Sequence, residues 1–285
     1  MRSSEKNQRQ SPWPGAAGQV RKRIVSAVGL CGLVVVCAVG ALAMRRSGDA
    51  AAQAVSKYVA LFGLALIFVL ALGIIADLRI AHRSAVRTDR GHDIPATVVP
   101  GSSVYFGLYQ AFWLCFATIF ITAAVEIAGA AWRTHWPLVV IFAGIGLFSG
   151  SAPALALTGR LRRGRIALTE TEIIHYGWSS QSSLAWGDLL KVGTAFERAP
   201  LIIVTGVVGA EPHYTTPSLK LNGKTKRLWQ LDRLPLAGWI FIECPRFSVN
   251  GSMLYHYLTF YAENPAARAE LGTASSVDRW CRLSG

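Results

Sequence analysis

Four long apolar runs occupy the amino-terminal half of the chain. They cover residues 24–44, 55–76, 104–131 and 136–157. Each reaches or exceeds the roughly 20 residues that a helix needs to span a bilayer. The pattern predicts a four-helix transmembrane domain over residues 24–159. The first run is longer than the apolar core of a signal peptide, about 7–15 residues, and no clear small-residue cleavage site follows it.

The pattern changes at Arg165, where apolar and polar residues begin to alternate. Alternation of branched and aromatic residues is typical of strands. Ile174 and Tyr176 share one face of such a strand, with His175 on the opposite face. Asn222-Gly223 has the sequence of a type I′ hairpin turn, and Trp239–Glu243 is a further short strand.

A helical pattern closes this second half. Four apolar residues fall at i, i+3, i+4 and i+7, which defines one stripe of a helix: Leu254, Tyr257, Leu258 and Tyr261. Asn264-Pro265 is predicted to begin a further helical segment that ends before Gly272. The sequence therefore predicts six or seven short antiparallel strands and then a helix whose stripe covers the sheet.

One motif of this half resembles bacterial pleckstrin-homology-like (PH-like) domains. It is a hairpin followed by a polar turn and a Trp-x-Asp segment, carried by Leu168-Thr169, Ile174, Tyr176, Leu184-Ala185-Trp186-Gly187-Asp188-Leu189-Leu190 and Val192. The closing helical segment is also similar to the end of such domains in uncharacterised membrane proteins of high-GC, actinobacterial-type bacteria. The resemblance covers residues 165–272, although residues 206–217 depart from it. It implies a bent antiparallel sheet of about seven strands capped by one carboxy-terminal helix, a fold that usually serves as a binding platform rather than a catalyst.

The predicted organisation thus has four parts. Residues 1–23 are a basic disordered cytoplasmic tail and residues 24–159 the transmembrane domain. Residues 165–272 are a mainly-β, PH-like cytoplasmic domain, and residues 273–285 are a flexible tail.

The basic residues are concentrated beside the apolar runs. The net charge is +13, but the segment from Arg165 onward carries 12 basic and 10 acidic residues, which nearly balance. Charged residues make up 16% of the chain, against about 25% in ordinary soluble domains. This placement favours orientation signals at a membrane over a nucleic-acid surface.

These basic segments also predict the orientation in the membrane. Basic residues accumulate in the tail before the first run, between the second and third runs, and after the fourth run, at Arg160, Arg162, Arg163 and Arg165. Cytoplasmic loops are enriched in Lys and Arg. We therefore expect a multi-pass protein of the bacterial inner membrane, with both termini cytoplasmic and the basic loops facing the anionic inner leaflet of the lipid bilayer.

The sequence contains no recognisable catalytic or metal-binding motif. No cysteine pair has zinc-ligand spacing, and the scattered histidines lack a nucleophile at a suggestive spacing. His82, His92 and Asp93 lie in a loop rich in arginine, which favours a solvated basic loop over a metal site. We expect no cofactor, no metal and no enzymatic activity.

Two polar features are candidate binding sites. Basic residues flank the hairpin at Asn222-Gly223 and are candidates for weak lipid-headgroup binding: Lys220, Lys224, Lys226 and Arg227. The alternative is a solvated hairpin tip that discourages edge aggregation. Glu126 lies near the outer end of the third run, where it either has a transport role or reaches the membrane interface.

Gly146 and Gly150 form a small-xxx-small face in the fourth run. Such a face permits close helix packing, either within the chain or between two copies in a homo-oligomer.

Two functions are compatible with these features. The first is a non-enzymatic, membrane-anchored interaction or scaffold protein that presents a PH-like platform to a protein partner at the cytoplasmic face. The alternative is a small transporter or a regulatory subunit of a transport complex. Glu126→Gln distinguishes them, because a transporter should lose activity whereas an anchor should express and localise normally. A membrane-embedded enzyme acting on lipid-linked substrates ranks third.

Overall fold

The chain forms two compact units. The computed structural model describes residues 12–13, 16–77, 86–89, 95–197, 199–207, 213–221, 224–233 and 238–283, without the side chains of residues 16–20, 77, 213–214, 218–221 and 224–227. One unit, the helical unit, comprises Val20–Ile75 and Val104–Leu161. The other, the sheet unit, comprises Met1–Gln19, Ala76–Ser103 and Arg162–Gly285.

Within the described residues, three helices are long and apolar enough to cross a membrane. They are α1 (Ala16–Arg46), α2 (Ala50–Asp77) and α3 (Ser103–Leu157). Asp49 caps α2, since its carboxylate accepts hydrogen bonds from the backbone N–H groups of Ala51 and Ala52 at 3.2 and 3.1 Å. The predicted count of four separate helices is not confirmed, because the third and fourth apolar runs both lie within α3.

The chain reverses direction inside α3. This helix has 55 residues, and a straight helix of that length would measure about 80 Å at 1.5 Å per residue. The backbone leaves helical geometry at Ala131 and His135, just before Pro137. The ring of Phe120, before the break, lies 5.7 Å from the ring of Phe142, after the break. The two halves of α3 therefore pack side by side. The break coincides with the predicted loop between the third and fourth runs.

The predicted small-residue face lies in this intrachain contact. A side chain at Gly146 would place its Cβ 2.6 Å from Cγ1 of Ile121, in the other half of α3. At Gly150 the corresponding Cβ would lie 3.5 Å from Cβ of Ala117, an ordinary van der Waals distance. Gly146 is therefore required by the close approach of the two halves, whereas Gly150 is not.

The sheet unit contains short strands in antiparallel pairs. The strands are β1 (Arg87–Asp89), β2 (Ala96–Pro100), β3 (Arg165–Leu168), β4 (Glu172–Tyr176), β5 (Ser180–Ala185), β6 (Leu189–Phe196), β7 (Pro200–Gly206), β8 (His213–Tyr214), β9 (Ser218–Leu221), β10 (Lys224–Arg227) and β11 (Trp239–Glu243). They form a six-stranded sheet of order β1-β2-β3-β4-β5-β8, a three-stranded sheet of order β11-β7-β6, and the hairpin β9-β10. The predicted antiparallel architecture is confirmed in this coarse form.

Two strands come from the segment between the second and third apolar runs, where a solvated basic loop is predicted. β1 and β2 lie between α2 and α3 in sequence, and β2 pairs with β3, so that Val98 faces Ala167. Val98 and Val99 are fully buried. The interpretation was wrong for these residues, because the run Ala96–Pro100 is short but apolar and β-branched, which suits a central strand. His82, His92 and Asp93 lie outside the described residues.

In β4, Ile174 and Tyr176 share one face and His175 lies on the other, as predicted. Ile173 and His175 are buried, whereas Ile174 and Tyr176 are only half-buried. Ile174 and Tyr176 pack on a small second cluster made of Ala96, Val98 and Ala167. Both faces of β4 are thus covered, so alternation alone did not identify the face that contacts the main core.

The predicted closing helix is confirmed. Helix α4 spans Gly251–Glu263, and the side chain of Asn250 caps it by accepting a hydrogen bond from the N–H of Ser252 at 2.9 Å. All four residues of the predicted stripe are fully buried: Leu254, Tyr257, Leu258 and Tyr261. After Asn264 the chain continues as a short 3-10 helix, Pro265–Glu270, and turns at Gly272 with φ of +82°.

The last residues form a further helix, which corrects the prediction of a flexible tail over residues 273–285. Helix α5 spans Ala274–Leu283. Trp280 is buried, with its ring 5.2 Å from the ring of Tyr257. The hydroxyl of Ser276 lies 2.7 Å from the hydroxyl of Thr97 in β2. Helix α5 therefore belongs to the core of the sheet unit.

Residues 12–13 and 16–23 depart from the disorder predicted for residues 1–23, whereas residues 1–11 and 14–15 lie outside the described residues. Helix α1 begins at Ala16. Trp13 is only 4% exposed and belongs to the main core of the sheet unit. One aromatic side chain therefore fixes a part of the tail that composition alone indicates to be disordered.

Replacing Gly146 by Ala should destabilise the helical unit by about 1–3 kcal/mol, because the added methyl group collides with Ile121. Gly150→Ala is the matched control and should change stability by less than about 0.5 kcal/mol. Thermal unfolding in detergent would measure both. Equal behaviour of the two variants would contradict the close approach at Gly146.

Candidate functional site

The densest group of polar contacts in the sheet unit surrounds Asp232. One carboxylate oxygen accepts a hydrogen bond from the N–H of Trp178 at 3.0 Å. The other accepts from the N–H of Ser179 at 2.7 Å and from the hydroxyls of Ser179 and Ser180 at 3.0 and 2.9 Å. Asp232 thereby holds the turn between β4 and β5. A side chain at Gly177 would collide with this carboxylate, so the turn requires glycine there.

Arg246 completes the group from the 3-10 turn that follows β11. Its guanidinium donates to Asp232 at 2.8 Å and to the carbonyl of Leu231 at 2.9 Å, and it pairs with Glu243 at 2.9 Å. The same guanidinium lies over the ring of Trp178, 4.6 Å from its centre, in a cation–π arrangement. Arg246 thus joins three separate segments of the chain. We call Asp232, Arg246, Ser179, Ser180 and Trp178 the Asp232 cluster.

Asp232 is ionised in this setting. Burial by itself would raise the pKa of Asp232, but the Arg246 guanidinium and the two backbone N–H groups outweigh burial, and the pKa is lowered. A buried ion pair with this many donors is expected to fix geometry rather than add much net stability. Removing one partner would leave the other charge buried and unpaired.

The cluster continues to the surface through a second pair of charges. Arg233 lies 3.3 Å from Glu243 and 2.7 Å from Glu197. Glu197 is well exposed, and exposed pairs contribute little to stability.

His175 lies beside this cluster, which the sequence could not indicate. It is buried on β4, and its ring centre lies 6.1 Å from that of Phe247. Burial lowers the pKa of His175 to about 4. The negative charge of Asp232 raises this pKa, whereas the positive charge of Arg246 lowers it further. The imidazole is therefore neutral at pH 7.

The reactive side chains of this region are held in unreactive states. Burial raises the pKa of the Cys244 thiol to about 12, so the thiol remains protonated. Neighbouring Glu243 accepts from Arg233 and Arg246. Among the described residues, no group of three or more His, Cys, Asp and Glu side chains is placed to hold a metal ion. These contacts fix the fold of the sheet unit.

The predicted lipid-headgroup residues lie on the hairpin β9-β10. Lys220 is paired with Thr225, and Lys226 with Leu219. Lys224 and Lys226 are two positions apart in β10, whereas Arg227 follows directly. Asn222 and Gly223 lie outside the described residues.

The predicted juxtamembrane arginines lie where α3 leads into β3. Arg160, Arg162 and Arg163 are exposed. Arg165 is half-buried, pairs with Asp89 at 3.6 Å and lies over the ring of Tyr176, 4.3 Å from its centre. Arg165 therefore connects β3 to β1.

Glu126 is paired within the helical unit. Its carboxylate accepts from the ammonium group of Lys57, and from the hydroxyl of Tyr58 at 2.6 Å. Lys57 and Tyr58 lie on α2, about two turns after its start. The contact joins α2 to α3, and the ammonium group of Lys57 neutralises the charge of Glu126.

Comparison of the chain with protein-family models, curated proteins and solved structures finds no match.

The stability of the sheet unit should fall in acid because His175 is buried as the neutral form. In the unfolded chain histidine takes up a proton near pH 6.5, whereas in the folded state it does so only near pH 4. The unfolded state thus binds more protons in this window, and stability should drop by about 3 kcal/mol as the pH falls from 6.5 to 4.

Chemical denaturation at several pH values would measure this loss. His175→Gln should flatten the slope between those limits, whereas His256→Gln, at an exposed position of α4, should leave it unchanged. A slope that persists in His175→Gln would assign the effect to other groups.

Proposed function

We propose that the protein is a non-enzymatic, membrane-anchored interaction protein whose sheet unit presents a PH-like platform to a protein partner at the cytoplasmic face of the bacterial inner membrane. The observation that carries this proposal is a small apolar patch on an outer strand of the sheet unit.

Strand pairing supports four membrane crossings. β2 precedes α3 and β3 follows it, and the two strands pair antiparallel. In a membrane, both ends of α3 would therefore lie on one side, so α3 would cross an even number of times. Trp13 precedes α1 and donates a hydrogen bond to Leu201 in the sheet unit. The chain before α1 and the chain after α2 would therefore lie on one side of the membrane, so α1 and α2 together would also cross it an even number of times. The break at Ala131 and His135 supplies the turn between two crossings of α3.

The basic residues favour a cytoplasmic position for the sheet unit. Arg160, Arg162 and Arg163 follow the last crossing, and further arginines lie between α2 and α3. The segments 45–54 and 132–135, on the opposite side in this arrangement, contain fewer basic residues: Arg45, Arg46 and Arg133.

Packing of the motif supports a PH-like fold. Trp186 is buried, and its indole N–H donates to the carbonyl of Thr169 at 2.8 Å. This bond joins the two parts of the motif that carries the resemblance. Helix α4 covers the core as the closing helix of such a domain would. β1 and β2, from upstream of α3, are additions to the expected seven-stranded arrangement.

The apolar patch favours a protein partner. Leu190 on β6 and Val207 after β7 are each 64% exposed. They are close together, because Leu189 pairs with Gly206 and the N–H of Val207 donates to the carbonyl of Asp188 at 2.8 Å. β6 is an outer strand of the three-stranded sheet. Outer strands and exposed apolar groups are common features of protein-binding surfaces.

The charges of the Asp232 cluster support a binding role over catalysis. Its carboxylate and guanidinium bond to one another and to the backbone of the fold. Weak contact of Lys220, Lys224, Lys226 and Arg227 with anionic lipid is compatible with the platform, at about 1 kcal/mol per residue near the surface.

A small transporter or transport-complex subunit is the second candidate. It is favoured by an ionisable contact between two membrane helices, Glu126 with Lys57 and Tyr58. The pairing of these charges with one another is equally consistent with a structural contact that holds α2 against α3.

Four crossings predict a definite labelling pattern with a membrane-impermeant maleimide. With the exposed native cysteines Cys31 and Cys281 replaced by Ser, Ser47→Cys and Arg133→Cys should react in intact cells. Glu170→Cys, in the sheet unit, should react only after permeabilisation. Labelling of Glu170→Cys in intact cells would overturn the proposed orientation.

Cross-linking in native membranes followed by purification and mass spectrometry tests the platform. Proteins recovered with the full-length chain should be lost with the double variant Leu190→Glu/Val207→Glu, because two carboxylates would oppose an apolar contact. The control is Leu283→Glu, at an exposed apolar position on α5. Proteins retained by the double variant would shift the function to the helical unit, and Glu126→Gln would become the next variant.

A further inference from the structure

Trp13 is bound by the sheet unit in the manner of a peptide ligand. Its indole N–H donates to the carbonyl of Leu201 at 3.2 Å, and the hydroxyl of Thr194 donates to the carbonyl of Pro12 at 2.6 Å. These partners are more than 180 residues away in sequence. Two adjacent residues thus combine a buried aromatic ring with two hydrogen bonds to strand residues.

The groove that holds Trp13 is shaped for a large ring. It lies where β6 ends, β7 begins and α4 starts. A Cβ at Gly251 would lie 3.0 Å from Cη2 of Trp13 and 2.9 Å from Cys244. Gly251 is the first residue of α4, and the absence of a side chain there leaves space for both Cys244 and the indole.

The sequence around Trp13 differs from that of the strands and helices that supply the rest of the core. It reads Ser-Pro-Trp-Pro-Gly, and Trp13 is the only large apolar residue between Arg2 and Gln19. Flanking prolines restrict the unbound chain, which reduces the entropy lost on binding. A single aromatic residue that fills a pocket is the usual source of affinity in such segments.

We propose that this groove is a docking site for a proline-flanked tryptophan segment of a partner protein, and that residues 12–13 occupy it as an exchangeable intramolecular competitor. The proposal rests on the proposed function as an interaction platform and names the chemistry of the partner. The groove and the apolar patch of Leu190 and Val207 lie at opposite ends of β6, so one extended partner segment can contact both.

Tethering explains why the structure holds its own segment. A segment attached to the same chain has an effective concentration in the millimolar range. For a free-peptide dissociation constant on the order of 10 µM, the tethered segment would therefore reduce the apparent affinity for an added peptide about 100-fold. A partner that carries several contacts, or that is itself held at the membrane, can overcome this factor.

Fluorescence anisotropy on the full-length protein tests the exchange. The probe is a labelled peptide of residues 8–18, and Trp13→Ala vacates the groove. This variant should bind the peptide in the micromolar range, about 100-fold more tightly than the wild type. A peptide with alanine in place of its tryptophan should bind neither protein. Adding Thr194→Val to Trp13→Ala should weaken binding about 5-fold, through loss of one hydrogen bond.

A cross-linking experiment tests the same exchange without vacating the groove. With p-benzoylphenylalanine in place of Trp13, irradiation should join position 13 to the segments around Thr194, Leu201 or Gly251. An excess of the peptide should reduce this yield.

Three results would overturn the proposal: a folded Trp13→Ala protein that does not bind the peptide, a cross-link yield unaffected by the peptide, or loss of cooperative unfolding in Trp13→Ala. The last would make Trp13 an integral part of the core. Failure of the proposed function would give a different result. No recovered protein would depend on Leu190 and Val207, and the affinity of the sheet unit for the peptide would be unchanged.

Discussion

The structure depends on the pairing of β2 with β3 across the whole length of α3. Val98 and Val99 are fully buried, and buried backbone N–H and C=O groups need partners. On one side β2 pairs with β1. Its partners on the other side, in β3, are more than 60 residues further along the chain, beyond a 55-residue helix that turns back on itself. The reversal in α3 and the six-stranded sheet therefore require one another. Gly101, at the end of β2, shows how closely the segments meet, because its N–H donates to the carbonyl of Gly164 at 3.0 Å and a side chain there would strike the backbone of Arg163.

Charged side chains in both units are used to join segments. Asp232 and Arg246 connect the β4–β5 turn to the segment before β11 and to the turn after it. Glu126 and Lys57 connect α3 to α2. In each case the carboxylate accepts several hydrogen bonds. These bonds offset part of the free energy that removing the carboxylate from water costs. Such pairs define which surfaces meet, while the apolar core supplies most of the stability.

Both ends of the chain contribute an indole to the core of the sheet unit, with different consequences. Trp280 lies on α5, which is fixed to β2 through Ser276 and Thr97, and its ring packs on Tyr257. Trp13 instead belongs to a polar segment and is held through two hydrogen bonds by the strands β6 and β7. An element with its own secondary structure and several contacts is a permanent part of the fold. A contact made by two residues of a polar segment is the kind that can exchange.

The sequence by itself determined the apolar runs, the break between the third and fourth of them, and the helix whose stripe is Leu254, Tyr257, Leu258 and Tyr261, because periodicity and local turn signals depend only on neighbouring residues. It also indicated Gly146 as a contact residue. Only the tertiary structure decided that β1 and β2 join the sheet, that His175 faces the main core, that Trp13 and Trp280 are buried, and that Asp232 meets Arg246. These features depend on residues far apart in sequence, and a short strand or a lone tryptophan carries no local signal that identifies its partner.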